Sequence, residues 1–369
     1  MKLLYITNGI NGAGGLERVL SIKASYLAEH FNYEVTILSL NNNHFNPFYE
    51  FSKKIKFVSI NVSGNAIQYI SAYIKGIREQ VNTVQPDIIC VCDDGLKGFF
   101  IPQFLRTKAP IIYERHVSKE IELSENSHSI KKITVKLKWL LMRLLAPSFD
   151  KFIVLTKGNV QEWKSLKNLH IIPNLLSFNP NQSSSLQNRK VIAVGKQGYQ
   201  KGYDLLLKAW KLVYEKHPDW ELEIYGTIAA EYKLQELVSA IGIEDVVHFY
   251  APVKDIQTKY LDASIYVMSS RFEGFGMVLI EAMACGLPCV SFNCPHGPAD
   301  VIKHGEDGIL VSNGDVNQLS IALIELIEKE ALRQEMGAKA KENVKRYLPE
   351  HIMPIWDHLF QKLVHARSL

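Results

Sequence analysis

Cysteine is scarce: Cys90, Cys92, Cys285, Cys289 and Cys294 are all there is, and no two form a Cys-x-x-Cys pair. That excludes the usual zinc-ribbon and dithiol patterns. The five read instead as small apolar side chains of a protein kept reduced in the cytoplasm. Excess charge is equally scarce. Lys and Arg number 42 against 38 Asp and Glu, a net +4 that is too mild to imply nucleic acid. No apolar run reaches the roughly eighteen residues that a membrane-crossing helix needs. The opening Met1-Lys2-Leu3-Leu4-Tyr5-Ile6-Thr7 turns polar too early for a signal peptide and reads as a first strand. What remains, 47% hydrophobic and 22% charged over 369 residues, is a soluble globular composition, too long for one ordinary core. Two domains are expected.

The most informative stretch is Arg271-Phe272-Glu273-Gly274-Phe275-Gly276-Met277, continuing as Val278-Leu279-Ile280-Glu281-Ala282-Met283-Ala284-Cys285-Gly286. It reads as a loop becoming a helix over Met277–Ala284, with Gly286 placed to stop it. Gly274 and Gly276 let backbone amides come close to a ligand. Amides at a helix N-terminus favour an anion. Glu273 in the loop and Glu281 in the second turn of the helix are suited to bind paired hydroxyls. Apolar runs on both sides place the loop at the C-terminal end of a parallel strand, where open α/β sheets bind ligands. Phosphate donors beside hydroxyl acceptors suit a sugar nucleotide.

Along the chain, short β-rich runs alternate with helical patterns, which implies parallel sheets. The expected strands are Leu3–Thr7, Glu34–Ser39, Ile55–Ile60, Asp87–Cys92, Pro110–Glu114 and Lys151–Leu155. A second series follows at Lys190–Val194, Glu221–Tyr225, Val246–Phe249, Ile265–Met268 and Cys289–Phe292. After the first strand, Gly12-Ala13-Gly14-Gly15 is either a plain turn or a second phosphate seat. It is neither a dinucleotide fingerprint nor a Walker loop, lacking the third spaced glycine and the Gly-Lys-Ser/Thr. Lys196 and Lys201 bracket the loop after Lys190–Val194 and are candidates for neutralising a diphosphate. His116 ends another strand. Asp93-Asp94 also ends one, but adjacent acids point apart, so no metal site is expected. The polar run Asn179–Ser185 reads as a linker. The expected units are 1–175, 176–350 and a C-terminal helix, 351–369, packing back on the first, with Ile352, Ile355, Trp356, Leu359 and Leu363 as its stripe.

The segment Ser129–Leu145 carries two apolar faces. Ile130, Ile133, Leu137, Leu140, Leu141 and Leu144 share one, which is expected to dock on the domain. Val135, Trp139 and Met142 lie opposite, flanked by Lys131, Lys132, Lys136, Lys138 and Arg143. A basic rim round an apolar, aromatic patch is the pattern of a helix lying on an anionic membrane.

These motifs resemble the retaining glycosyltransferases of family 4, over nearly the whole chain. The run from Ser269 through Glu273 and Glu281 to Pro288 looks like the family's Glu-x7-Glu donor motif. Gly14-Gly15-Leu16-Glu17-Arg18 is similar to its N-terminal glycine loop, and Pro295-His296-Gly297-Pro298 to its later one. Gly195-Lys196 and Lys201-Gly202 are similar to its phosphate-binding pair, although Lys196 stands where Arg is common and so lacks a bidentate fork. His116 matches the histidine near the transferred sugar, with Val117 where an Asp often follows.

The resemblance implies an α/β GT-B fold, two Rossmann-like domains facing a cleft. It implies Glu281 on the ribose and Glu273 on the donor sugar. Val253 would meet the base through its backbone. Gly14, Gly15, Lys196, Lys201, Gly274, Phe275, Gly276 and Met277 would surround the diphosphate. Glu273, Lys201 and His116 would carry catalysis, without cofactor or metal. The expected donor is a UDP-hexose or UDP-N-acetylhexosamine. The expected acceptor is a lipid-linked saccharide of a bacterial surface polysaccharide, met at the inner face of the plasma membrane. A GT-B sugar-nucleotide epimerase and a non-catalytic sugar-nucleotide-binding partner are the alternatives.

Overall fold

The computed structural model describes residues 1–42, 44–122 and 129–368, without the side chains of residues 121, 122, 129–132 and 368. Among the described residues two sheets form. The first contains β1 (Lys2–Thr7), β2 (Glu34–Leu40), β3 (Lys56–Ile60), β4 (Ile88–Cys92), β5 (Ile111–Glu114), β6 (Lys151–Val154) and β7 (Leu169–Ile171), in the order 3-2-1-4-5-6-7. The second contains β8 (Lys190–Val194), β9 (Glu221–Tyr225), β10 (Val247–Tyr250), β11 (Ile265–Met268), β12 (Cys289–Asn293) and β13 (Gly308–Ser312), in the order 10-9-8-11-12-13. The paired strands run parallel in both sheets.

Helices cover both faces of each sheet, so central strands are apolar throughout rather than alternating. In β4, Ile-Ile-Cys-Val-Cys is buried at every position. All five cysteines are buried and unbridged. In each sheet the strand order reverses beside the first strand of its series, next to β1 and β8. Loops leaving the C-terminal ends there splay apart and open a crevice.

Two strands, β7 and β13, escape sequence reading. Both are edges, paired on one side only. Leu-His-Ile in β7 is too short to display a period. β13 opens on Gly308, where a Cβ would press on the Cys289 carbonyl. The linker is also less free than its composition implies. Ser184 is buried, its amide donating to the Cys285 carbonyl and its hydroxyl to that of Ala263.

Helix Pro349–Ser368 leaves the second unit and lies on the first. Ile352, Met353, Trp356, Leu359 and Phe360 enter one core with Leu3, Tyr5, Ala24 and Leu27. Ile355 of the expected stripe is 45% exposed instead, and Met353 and Phe360 take its place.

Helix Ser129–Leu145 docks with the opposite face from the one expected. Val135 and Met142 are buried, and Met142, with the half-buried Trp139, packs in the core that holds Phe99, Tyr113 and Phe152. Ile133, Leu137, Leu140 and Leu144 are 53–67% exposed, and Leu141 is 39% exposed. Counting apolar residues favours the wider stripe. Docking selects the narrower one because it continues, through Ala146 and Phe149, into the core below β6. The side chains of Ile130, Lys131 and Lys132 lie outside the described residues; Lys136 and Arg143 are exposed and Lys138 half-buried. Met142→Ala should therefore lower unfolding stability by about 2–5 kcal/mol, measured by urea titration. Leu140→Ala should change it by no more than about 0.5 kcal/mol. The reverse ranking would contradict the observed docking.

Candidate functional site

Loops after β1, β4, β5, β8, β9 and β11 converge on one cavity of about 580 Å³ between the two sheets. Glu273 and Glu281 sit on its wall, yet are only 6% and 2% exposed. A buried carboxylate is costly unless hydrogen-bonded and faced by a cation, and each of these is.

Glu273 accepts from Ser270 Oγ at 2.6 Å and from Lys201 Nζ at 2.7 Å. Lys201 reaches it because two loops are laced together. Arg271 donates to Asp204 through both terminal nitrogens, at 2.9 and 2.6 Å, and to the Tyr199 carbonyl at 2.8 Å. Ser269 Oγ donates to the Lys201 carbonyl at 2.8 Å. Gly202 turns left-handed, φ +61°, before helix Tyr203–Tyr214 begins.

Glu281 accepts from Arg18 Nη1 at 2.5 Å and from Ser177 Oγ at 2.7 Å. Arg18 belongs to helix Gly15–His30 of the first unit, so this ion pair crosses the cleft. Its guanidinium also lies 4.7 Å from the Tyr49 ring centre and 5.8 Å from that of Phe178.

Between the two acids, Gly276 has φ +88° and precedes helix Met277–Ala284. First-turn N–H groups have no partner within a helix. Those of Met277 and its neighbours therefore supply donors at the cavity wall. A Cβ on Gly274 would collide with the His116 carbonyl, so backbone from the two units touches there.

Every residue named for donor binding or catalysis lines this cavity: Gly14, Gly15, His116, Lys196, Lys201, Val253, Glu273, Gly274, Phe275, Gly276, Met277 and Glu281. Their standing differs. Lys196 is exposed. The Glu17 carboxylate lies against Gly12 and Gly14, so an anion approaching the Gly15 amide meets negative charge. The amides around Gly276 are the better phosphate seat.

Sequence reading missed Arg18, Ser177, Tyr49 and Ser270 as site residues. Arg18 has a legible signal, a cation one turn beyond a glycine loop at a strand end. Ser177 and Tyr49 come from irregular segments with none. Asp93 and Asp94 are taken up locally. Asp93 accepts from the Gly95 amide at 2.8 Å and Asn8 at 3.0 Å, and Asp94 faces Arg115 at 3.7 Å.

Among the described residues, one trio of metal-ligand types lies close together: Cys92, Glu114 and His116, within 4.8 Å. The chemistry does not favour a metal. The Lys23 ammonium already sits on the Glu114 carboxylate, and burial pushes the Cys92 thiol well up.

The units also meet behind the cavity. His296 Nε2, in the loop after β12, lies 3.2 Å from Glu162 of helix Lys157–Trp163. Asp300 accepts from the amides of Lys157 and Gly158 at 3.0 and 3.2 Å. Burial opposes the His296 charge, but Glu162, with Glu120 and Asp300, raises its pKa above the ordinary value of about 6.5. Burial would raise Glu162; His296 and Ser118 lower it.

A raised histidine stabilises the folded state fully below its unfolded pKa, and that contribution fades as pH rises through the folded value. The lowered Glu162 contributes above the ordinary carboxylate range and fails only in stronger acid. Wild type should exceed His296→Ala in thermal midpoint at pH 6, with the gap shrinking by pH 9. A gap that grows with pH would contradict the pairing.

Two parallel sheets facing a cleft lined by buried acids, cations and helix-start amides define a GT-B-type α/β protein. The profile of Glycosyl transferases group 1 matches residues 178–343. An uncharacterized glycosyltransferase of Haemophilus influenzae is 31% identical, over 96% of this chain and 98% of its own. The amylovoran biosynthesis glycosyltransferase AmsD of Erwinia amylovora is 32% identical, over 97% and 99%. The fold is similar to that of S. aureus TarM, solved with fondaparinux, α-GlcNAc-glycerol and UDP, at TM-score 0.79 and 15% identity over 97% and 99% of the chains. The chain belongs to the group 1 glycosyl transferases.

Proposed function

We propose that this glycosyltransferase is a retaining, metal-independent enzyme of family 4. It moves a hexose or N-acetylhexosamine from a UDP-sugar to a lipid-linked saccharide during synthesis of a bacterial surface polysaccharide. The observation carrying this reading is the pair of buried acids, Glu273 and Glu281, on either side of the Gly276 helix start in one cleft. The relative named for amylovoran biosynthesis supports a place in polysaccharide synthesis, and the neighbour solved with UDP supports the base. On this reading 1–175 receives the acceptor and 176–350 the nucleotide sugar, with 351–369 returning to the first unit.

Glu281 takes the ribose hydroxyls, displacing Arg18, and Glu273 the sugar hydroxyls. Val253 offers its backbone to the base. Lys201, Lys196 and the amides of Phe275 to Met277 hold the diphosphate, with Gly14 and Gly15 at its edge. The bond between the anomeric carbon and the phosphate oxygen breaks, and its electron pair stays on the diphosphate. Cations and amides fixed where that charge collects favour the transition state over the bound substrate. The acceptor oxygen joins the anomeric carbon from the departing side, its proton passing to a diphosphate oxygen. His116 stabilises the sugar during this step.

A panel of UDP-glucose, UDP-galactose, UDP-N-acetylglucosamine and GDP-mannose, with and without EDTA, tests the reading through release of nucleoside diphosphate. A member turned over equally well in EDTA is expected. An isomerised donor would indicate an epimerase, and binding without release a non-catalytic partner. Lys201→Ala should weaken transfer about ten- to a hundredfold, the worth of one charge-assisted contact at roughly 1.5–3 kcal/mol. Glu281→Ala should weaken free UDP as well as the donor, whereas Glu273→Ala should weaken only the donor. Equal losses for both ligands in the Glu273 variant would refute that division.

The exposed stripe of Ile133, Leu137, Leu140 and Leu144, with Lys136 and Arg143 exposed beside it, serves as the contact with the anionic inner membrane surface. This replaces the Trp139 face, which is packed. Each surface cation adds about 1 kcal/mol near anionic lipid, and the stripe adds apolar burial. None of the helices among the described residues is long and apolar enough to cross a membrane, so the attachment is peripheral. Wild type should sediment with phosphatidylglycerol vesicles, less so at high salt. A Leu137→Glu, Leu140→Glu variant should stay in solution while binding UDP normally. A variant that sediments like wild type, or a wild type that forms dimers and ignores vesicles, would overturn this contact.

A further inference from the structure

Glu114, the last residue of β5, is 1% exposed, and the only cation on it among the described residues is Lys23, 2% exposed, from helix Gly15–His30. The Lys23 ammonium lies 4.2 Å from the Trp356 ring centre and 5.1 Å from that of Tyr5. Trp356 stands on helix Pro349–Ser368, which arrives from the second unit. A charged pair taken out of water gives little net stability, and an apolar pair of similar size is often as good or better. Stability is therefore a weak reason for placing this pair beneath the cleft.

Its geometry supplies another. The Glu114 oxygen that meets Lys23, Oε2, is also 3.3 Å from His116 Nε2. Burial alone would raise the Glu114 pKa. The Lys23 ammonium, and His116 less strongly, bring it down to about 2. A carboxylate that stays ionised only accepts, so the facing ring nitrogen must carry the hydrogen. Neither ring nitrogen of His116 completes a hydrogen bond among the described residues and both are buried, but Nε2 faces the Glu114 carboxylate at 3.3 Å whereas Nδ1 faces no partner, and the residue lines the cavity. A buried polar atom left unpaired calls for an explanation. A ligand hydroxyl is one.

We infer that Lys23 and Glu114 are positioning residues. They hold His116 in the Nε2–H form, which reserves Nδ1 as an acceptor for a hydroxyl of the transferred sugar. Trp356 roofs Lys23, so the C-terminal helix is part of the same support. This inference rests on the role given to His116 under the proposed function.

The test uses the full chain and the panel sugar nucleotide that wild type turns over fastest. Glu114→Gln should lower kcat at least about tenfold, as wrong-tautomer variants of histidine sites do. KM and UDP affinity should stay within about twofold. In a His116→Ala background the same substitution should change kcat less than about twofold, because the ring it positions is gone. Lys23→Met with Glu114→Gln removes both buried charges, should melt close to wild type, and should show the same kcat loss. Nitrogen-15 histidine spectra, with the His116 signal assigned by its absence in His116→Ala, should show the Nε2–H tautomer in wild type and a mixture in Glu114→Gln.

A Glu114→Gln loss as large in the His116→Ala background as in wild type would overturn the inference. So would an Nδ1–H tautomer in wild type. If wild type turns over no panel member, the proposed function fails, and the spectra still decide the tautomer.

Discussion

The cleft depends on two carboxylates that are kept out of water and held by cations before any substrate arrives. Glu281 is the more telling, because its partner Arg18 comes from the other unit. A carboxylate at 2% exposure is tolerable only while something satisfies it. In this molecule Arg18, Ser177 and, at 3.5 Å, the Tyr260 hydroxyl do so, and Arg18 in doing so ties the two units together. The Glu273–Lys201 pair repeats the arrangement within the second unit, braced by the Arg271–Asp204 fork.

That constraint shapes the chemistry. Paired acids and cations already in place need little reorganisation when a nucleotide sugar exchanges one set of partners for another. Preorganised dipoles and charges act where a diphosphate gathers its electrons. The same logic extends one layer deeper, where the Lys23–Glu114 pair steers His116. Docking of helix Pro349–Ser368 onto the first sheet thus serves more than the core, since Trp356 touches that layer.

Much of this was legible. Strand cores such as β4 and β8 are continuous apolar runs, and a parallel sheet needs such runs because both its faces are covered. Glu273, Glu281 and the glycines between them lie in one short stretch, so their local geometry follows from chain order. What chain order does not carry is long-range partnership. Arg18 is 263 positions from Glu281, and Lys23 is 91 from Glu114. Nothing local distinguishes Lys23 from a solvated cation, and the glycine loop before Arg18 marks a strand-end site without pointing to Glu281 as the partner. Helix Ser129–Leu145 failed for a different reason. It has two apolar faces, and periodicity ranks them by number, whereas docking ranked them by continuity with the core at Ala146 and Phe149.

The exposed leucines of that helix and the buried acids of the cleft give one molecule two kinds of surface, apolar and basic outside, polar and paired within, and the proposed function assigns a role to each. The claim underlying both is that nucleotide enters the cleft at the Gly276 helix start. Amide hydrogen exchange with and without UDP measures this directly. The account predicts slowed exchange across 274–277 and 195–202, with helix Ser129–Leu145 unchanged. Unaltered exchange in those two loops under saturating UDP, or protection confined to the 129–145 helix, would contradict it.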